Sequence, residues 1–177
     1  LEAAGVHLEL SAENARTVFE ATGMVFLFAP AFHPGMRFVA PVRKKLGIRT
    51  LFNFLGPLCN PGSVYRQLLG VSVANRQKDY AEVLSALGCE RGYVVHGAGG
   101  ADELTLAGKN EVIAVGDAPV QSWDSESCGL PHAPVDALAG GEALENLVLL
   151  EEILSGKESH CRDAVVLNAA AALVVAG

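Results

Sequence analysis

Aromatic side chains make up only 6% of the 177 residues and charged ones only 19%, while half are apolar. Disordered chains combine low hydrophobicity with high charge, so this balance excludes disorder. The length is that of one domain with a sizeable core. Basic residues are scarce: 13 Lys and Arg against 20 Asp and Glu give a net charge of −7. No nucleic-acid partner is expected, because phosphate backbones call for a basic surface. The total says little about small anions, which answer to the local field of a cleft. No apolar run reaches the roughly eighteen residues of a membrane-spanning helix, so no membrane partner is expected. The four cysteines, Cys59, Cys89, Cys128 and Cys161, lie at least thirty residues apart. That spacing offers no CxxC or CxxH pair for structural zinc. With nothing else pointing outside the cell, they read as reduced, mostly buried thiols of a cytoplasmic protein. The first residues, Leu1-Glu2-Ala3-Ala4-Gly5, lack an initiator Met and the basic lead of a signal peptide, and suggest a piece of a longer protein. A GxSxG elbow and a GxGxxG fingerprint are both missing. Gly108-Lys109 is no P-loop, since Asn110 follows and the earlier glycine is lacking.

What is present reads as one α/β domain over residues 1–177, a mostly parallel central sheet flanked by helices. Ser11 can cap a helix running to Thr22, with Val18 and Phe19 on one face and Gly23 as the stop. Met24 to Phe28 has the length and apolarity of a strand. A helix is expected from Pro34 to Leu46, kinked or restarted at Pro41, with another turn or two over Thr50 to Leu55. Gln67 to Val73 reads as a strand, and Arg76 to Leu87 as a helix with Tyr80, Val83, Leu84 and Leu87 inward, closed by Gly88. Gly92 to His96 is apolar, as a parallel strand buried on both faces should be. Leu104–Leu106 and Glu111–Val115 suggest a hairpin, and Val120–Trp123 a last strand. Glu142–Leu154 and Arg162–Val175 carry helical periodicity, the second apolar nearly all round and so expected to be buried.

Three segments could carry chemistry. Arg37, Arg43, Lys44, Lys45 and Arg49 place five of the thirteen basic residues within thirteen positions. On a Pro- and Gly-rich segment they suit capture of carboxylates or phosphates, where Arg offers a bidentate fork. A solvated basic helix face would look the same. The run Val95-His96-Gly97-Ala98-Gly99-Gly100-Ala101-Asp102-Glu103 takes a strand into a glycine loop and a carboxylate pair. Ligands collect beyond the carboxyl ends of such strands, and two carboxylates are hard oxygen ligands suited to Mg²⁺. An exposed acidic pair after a flexible turn is the alternative. Phe52 to Gly62, with two asparagines, two prolines and two glycines, reads as a structural corner. No His has a Ser or Cys partner that would mark a nucleophile.

The succession HPGM, APVR, LGIRT and FNFLGPLCNP, followed by VVHGAGGADELTLAG and RDAVVLNAAAALVVAG, resembles the anthranilate phosphoribosyltransferases along essentially the whole chain. The resemblance implies the large C-terminal α/β domain of a nucleoside phosphorylase/phosphoribosyltransferase-like fold. It implies transfer of a phosphoribosyl group from phosphoribosyl pyrophosphate to anthranilate, with Mg²⁺ as cofactor, in a cytoplasmic homodimer of tryptophan biosynthesis. On it Arg43 meets the anthranilate carboxylate, His33 lines the path by which anthranilate enters, and Asp102 and Glu103 bind Mg²⁺. No residue is assigned as a covalent catalyst. Relatives often carry Asp where Gly99 stands here, a departure that leaves the metal pair intact. The family's GTGGD and KHGN phosphate elements and its N-terminal helical domain are not among these residues, so the isolated piece is expected to be inactive. Pyrimidine nucleoside phosphorylases share the fold but should lack the HPxM, APVR, LGIRT succession. A non-catalytic binding relative is the other alternative, against which Arg43 and the Asp102–Glu103 pair count.

Overall fold

The computed structural model describes residues 1–48, 50 and 52–177, and for Arg43 and Asn53 the backbone only. Backbone proximity divides the chain into two compact units, Leu1–Gly62 and Ser63–Gly177.

The first unit is helical. Helix α1 (Ala12–Thr22) opens as its sequence predicts: the Ser11 hydroxyl accepts from the Asn14 N–H at 3.1 Å. It closes at Gly23, whose φ of 76° is the left-handed conformation that glycine adopts without a Cβ penalty. A short helix α2 (Ala29–Phe32) follows, then α3 (Met36–Leu46) with Pro41 inside it, and α4 (Phe52–Leu55) running into a 3-10 turn at Gly56–Leu58. The strand expected at Met24–Phe28 does not form. A strand must hand its backbone groups to a neighbour, and the described residues of this unit contain no other strand. Val18 and Phe19 are exposed, and Ala15 is the residue that α1 buries.

The second unit carries the sheet. Strands β1 (Arg66–Gly70), β2 (Arg91–His96) and β3 (Glu111–Gly116) lie in the order β1-β2-β3. β1 runs parallel to β2, with Leu69 beside Val94, and β3 runs antiparallel to β2, with Ala114 beside Tyr93. The sheet is therefore mixed, not mostly parallel as the sequence suggested. Only β1 and β2 are joined through a helix, α5 (Gln77–Ala86). The chain returns from β2 to β3 without one, and such a direct return suits an antiparallel partner. Tyr93 and Val95 face one side of the sheet, in a core with Leu104, Leu106, Trp123 and the Leu167, Ala171 and Val175 face of helix α7 (His160–Ala176). Tyr93 and Trp123 meet edge to face with centroids 5.7 Å apart. Val94 points to the other side, toward α5, where the buried Gln77 amide donates to the Val94 and Glu111 carbonyls at 2.8 Å each.

Several sequence expectations are corrected by this fold. Leu104 to Leu106 is fully buried yet forms no strand, so there is no hairpin with β3. Two side-chain amides stand in for a neighbouring strand. Asn168 of α7 accepts from the Leu104 N–H at 3.0 Å and donates to its carbonyl at 2.8 Å. Asn110 does the same for Thr105, at 3.0 Å both ways. Each buried backbone group left unpaired would cost about 1–3 kcal/mol. Val120–Trp123 is likewise no strand: Val120 is exposed, and the Trp123 carbonyl takes a further Asn110 bond at 2.8 Å. On α5, Tyr80 and Leu84 are buried, but Val83 and Leu87 are exposed. Helix α7 buries one face only, leaving Val165, Val166 and Leu173 exposed. Helix α6 (Ala143–Leu154) begins with a reciprocal capping box between Glu142 and Glu145. All four cysteines are free, but Cys59 and Cys128 are exposed rather than buried. No helix of the described residues is long and apolar enough to cross a membrane.

Candidate functional site

At the carboxyl ends of β1 and β2 the backbone is folded back very tightly. A Cβ on Gly70, the last residue of β1, would lie 1.5 Å from the Asp102 carbonyl oxygen. One on Gly97, directly after β2, would lie 1.9 Å from the Glu103 carbonyl oxygen. Only hydrogen fits at either position, so both glycines are required by close approach. The return is tied by the Gly97 N–H donating to the Ala101 carbonyl at 2.9 Å. Gly99 and Gly100 make the bend with φ of 86° and 87°.

This arrangement sets Asp102 and Glu103 side by side over the strand ends, as the sequence placed them. Both are exposed, and neither carboxylate has a hydrogen bond or ion pair among the described residues. No group of three His, Cys, Asp or Glu that could hold a metal occurs among those residues. A free pair of this kind fits a hard cation that takes its other oxygens from water and a phosphate ligand, which is how Mg²⁺ is commonly held. His96, half-buried at the end of β2, has its Nδ1 2.7 Å from the Val71 carbonyl. A carbonyl only accepts, so Nδ1 carries the hydrogen in this contact. Elsewhere in this unit the Ser122 hydroxyl, and then the Ser127 N–H, hold the half-buried Asp124 carboxyl down at about 2. Burial pushes the thiols of Cys89 and Cys128 up from their ordinary range, with Asp124 adding to the effect on Cys128.

The first unit holds a cleft of about 530 Å³. His33, Met36, Arg37 and Ala40 line one part of it. His33 sits between α2 and α3, its N–H bonded to the Ala29 carbonyl at 2.9 Å. Phe52, Leu55, Gly56 and Cys59 line another part, so the segment taken as a structural corner also shapes the cleft. Its turn is fixed by the Asn60 side chain, which accepts from the Gly62 N–H at 2.8 Å. The walls are mostly apolar, with the Arg37 cation at the surface 4.6 Å above the Phe38 ring. An apolar slot with a cation suits a flat ring carrying a carboxylate. Arg43 lies on α3 three residues beyond Ala40, its side chain outside the described residues, as is the whole of Arg49. Lys44 and Lys45 are exposed.

Sequence reasoning missed Gly70, Asn110 and Asn168. Asn110 and Asn168 stand in ordinary helix or loop contexts, and their partners are distant in sequence or backbone groups that carry no residue signal.

The sequence profile of the glycosyl transferase family, a/b domain, matches residues 1–177. The chain belongs to this family. Among curated members, the anthranilate phosphoribosyltransferase of Chloroflexus aurantiacus is 49% identical over 178 residues, covering 98% of this chain and 52% of its own length. A solved anthranilate phosphoribosyltransferase from Thermus thermophilus superposes with a TM-score of 0.87 at 43% identity, over 99% of this chain and 56% of that one. Another, from Saccharomyces cerevisiae in complex with PRPP and Mg, gives 0.89 at 28% identity, over 99% and 52%. This glycosyl transferase α/β domain thus spans about half the length of the relatives it matches.

Proposed function

We propose that the full-length protein carrying this chain transfers the phosphoribosyl group of phosphoribosyl pyrophosphate to anthranilate, giving phosphoribosyl-anthranilate and pyrophosphate, in the cytoplasm and as a homodimer. What carries this reading is the similarity to anthranilate phosphoribosyltransferases along nearly the whole chain. It includes the segments that form the apolar cleft and the carboxylate turn.

Asp102 and Glu103 would hold Mg²⁺, which when bound neutralises charge on the pyrophosphate that departs. Among the described residues neither carboxylate has a hydrogen-bond or ion-pair partner, which leaves both available as ligands. Arg43 meets the anthranilate carboxylate by a forked pair of hydrogen bonds, and His33 lines the way in. The cleft and the Arg43 guanidinium would hold the anthranilate ring, leaving its amino nitrogen free to attack the anomeric carbon. The nitrogen forms the new C–N bond as the C–O bond to pyrophosphate breaks, and the proton lost from nitrogen leaves to solvent. The residues act by positioning and by electrostatic stabilisation. No nucleophilic side chain is needed.

The test supplies the full-length protein with phosphoribosyl pyrophosphate, Mg²⁺ and anthranilate, and follows pyrophosphate release. Release that requires anthranilate and is abolished in Asp102→Asn/Glu103→Gln supports the assignment. Phosphorolysis of a pyrimidine nucleoside without any anthranilate-dependent release would replace it with a nucleoside phosphorylase.

A further inference from the structure

Among the described residues no side chain supports the carboxylate pair, so the backbone that carries it sets its geometry. On one side that backbone is the tight glycine bend. On the other it is Leu104, directly after Glu103 and wholly buried. Both polar groups of Leu104 are held by one side chain, the amide of Asn168, which reaches across from α7. Its Oδ1 accepts from the Leu104 N–H at 3.0 Å, and its Nδ2 donates to the Leu104 carbonyl at 2.8 Å. The same Nδ2 also donates to the Ala164 carbonyl, one turn back along α7, at 2.9 Å. That third bond fixes the amide's orientation against a rigid helix. Asn168 therefore transmits the position of a seventeen-residue helix to the peptide next to the carboxylates.

We propose that Asn168 is a positioning residue for the divalent cation, holding Asp102 and Glu103 at the separation and height the ion requires. The inference rests on the assignment of those two carboxylates as cation ligands. Groups that orient ligands without touching the metal typically change metal affinity by about 10–100-fold when removed. A truncated Asn168 leaves Leu104 with an N–H and a carbonyl that no other described side chain reaches. Buried groups without partners drive the segment to shift until they find them, and the carboxylates shift with it.

A matched control exists in the same unit. Asn146 of α6 grips Gly141 in the same two-handed way, accepting from its N–H and donating to its carbonyl at 2.8 Å each. It lies at the start of another helix and carries no link to the carboxylates.

The experiment titrates Mn²⁺, as a paramagnetic stand-in for Mg²⁺, into the full-length protein with saturating phosphoribosyl pyrophosphate and reads bound ion by electron paramagnetic resonance. Asn168→Ala is expected to weaken Mn²⁺ about tenfold or more, with the KM for anthranilate unchanged. Amide exchange at Leu104 should speed up in the metal-free protein. Asn146→Ala should leave Mn²⁺ affinity at the parent value. Unchanged Mn²⁺ affinity in Asn168→Ala, beside a clear loss in Asp102→Asn/Glu103→Gln, overturns the positioning role while sparing the ligand assignment. No loss in the double carboxylate variant overturns both. Should Asn168→Ala fail to fold by circular dichroism, Asn168→Ser takes its place, its hydroxyl too short to span both Leu104 groups, with the same expected loss.

Discussion

Replacing Gly70 by Ala tests how closely the carboxylate turn presses on the sheet. An alanine Cβ there would stand 1.5 Å from the Asp102 carbonyl oxygen, 2.5 Å from its carbonyl carbon and 3.3 Å from its Cα. Comfortable non-bonded contact lies at about 3.5–4.0 Å, so roughly 2 Å of room is missing. All three opposing atoms are backbone, and no side chain can swing aside. Gly70 has no positive φ, so strain in its own conformation adds nothing. Without the contact, Ala in a strand would stabilise by about 0.5–1 kcal/mol over Gly. With it, the substitution falls at the upper end of overpacking costs, about 3 kcal/mol. At about 2–4 °C per kcal/mol for a chain of this size, the melting temperature should drop by about 6–12 °C instead of rising by about 1–4 °C. Gly35→Ala is the control, since nothing lies within 4 Å of its Cβ position, and it should be neutral or gain up to about 1 kcal/mol. Thermal denaturation with Mn²⁺ titration reads both possible reliefs of the clash: a broken strand end lowers stability, and a displaced turn weakens the metal. A Gly70→Ala protein unchanged in both would refute the close approach.

Asn110→Ala removes four bonds at once, from the Ala98 and Thr105 N–H groups and to the Thr105 and Trp123 carbonyls. At about 1–3 kcal/mol per stranded buried group, chemical denaturation should show a loss of at least about 3 kcal/mol. Asp124 has its carboxyl lowered to about 2 from the ordinary 3.8, so its contribution is complete above the unfolded value and disappears as pH falls through about 2. Asp124→Asn should therefore be less stable than the parent at neutral pH, with the difference closing between pH 4 and pH 2 in melting curves. Iodoacetamide labelling of Cys128 should be slow at neutral pH although the residue is exposed, because partial desolvation of its thiol and the nearby Asp124 charge both disfavour the thiolate.

The elements that the sequence announced best are those with local punctuation. Ser11 and Gly23 delimit α1 by groups within a turn of the helix they close, and Gly88 does the same for α5 with a φ of 83°. The short apolar runs were different. Met24–Phe28, Leu104–Leu106 and Val120–Trp123 all have strand composition, and none forms a strand. In Leu104–Leu106 side-chain amides satisfy the buried backbone in place of a ladder, whereas Met24, Phe26 and Val120 are exposed, so their apolar character did not translate into burial at all. The carboxylate turn was visible as strand, glycine loop and acidic pair in one stretch of chain. The need for Gly70 was not, because it arises from a contact with Asp102 that exists only once the chain has folded back. The Pro34–Leu46 helix was anticipated within two residues despite Pro41, yet the cleft beside it depends on Leu55, Gly56 and Cys59, which sequence alone assigned to a corner.

The most direct test follows the fluorescence of anthranilate in the full-length protein with phosphoribosyl pyrophosphate and Mg²⁺, alongside the Arg43→Ala variant. The account predicts that fluorescence falls with the parent and that the variant is impaired mainly at low anthranilate, through a raised KM. Anthranilate left untouched by the parent under these conditions would contradict the assignment of substrate.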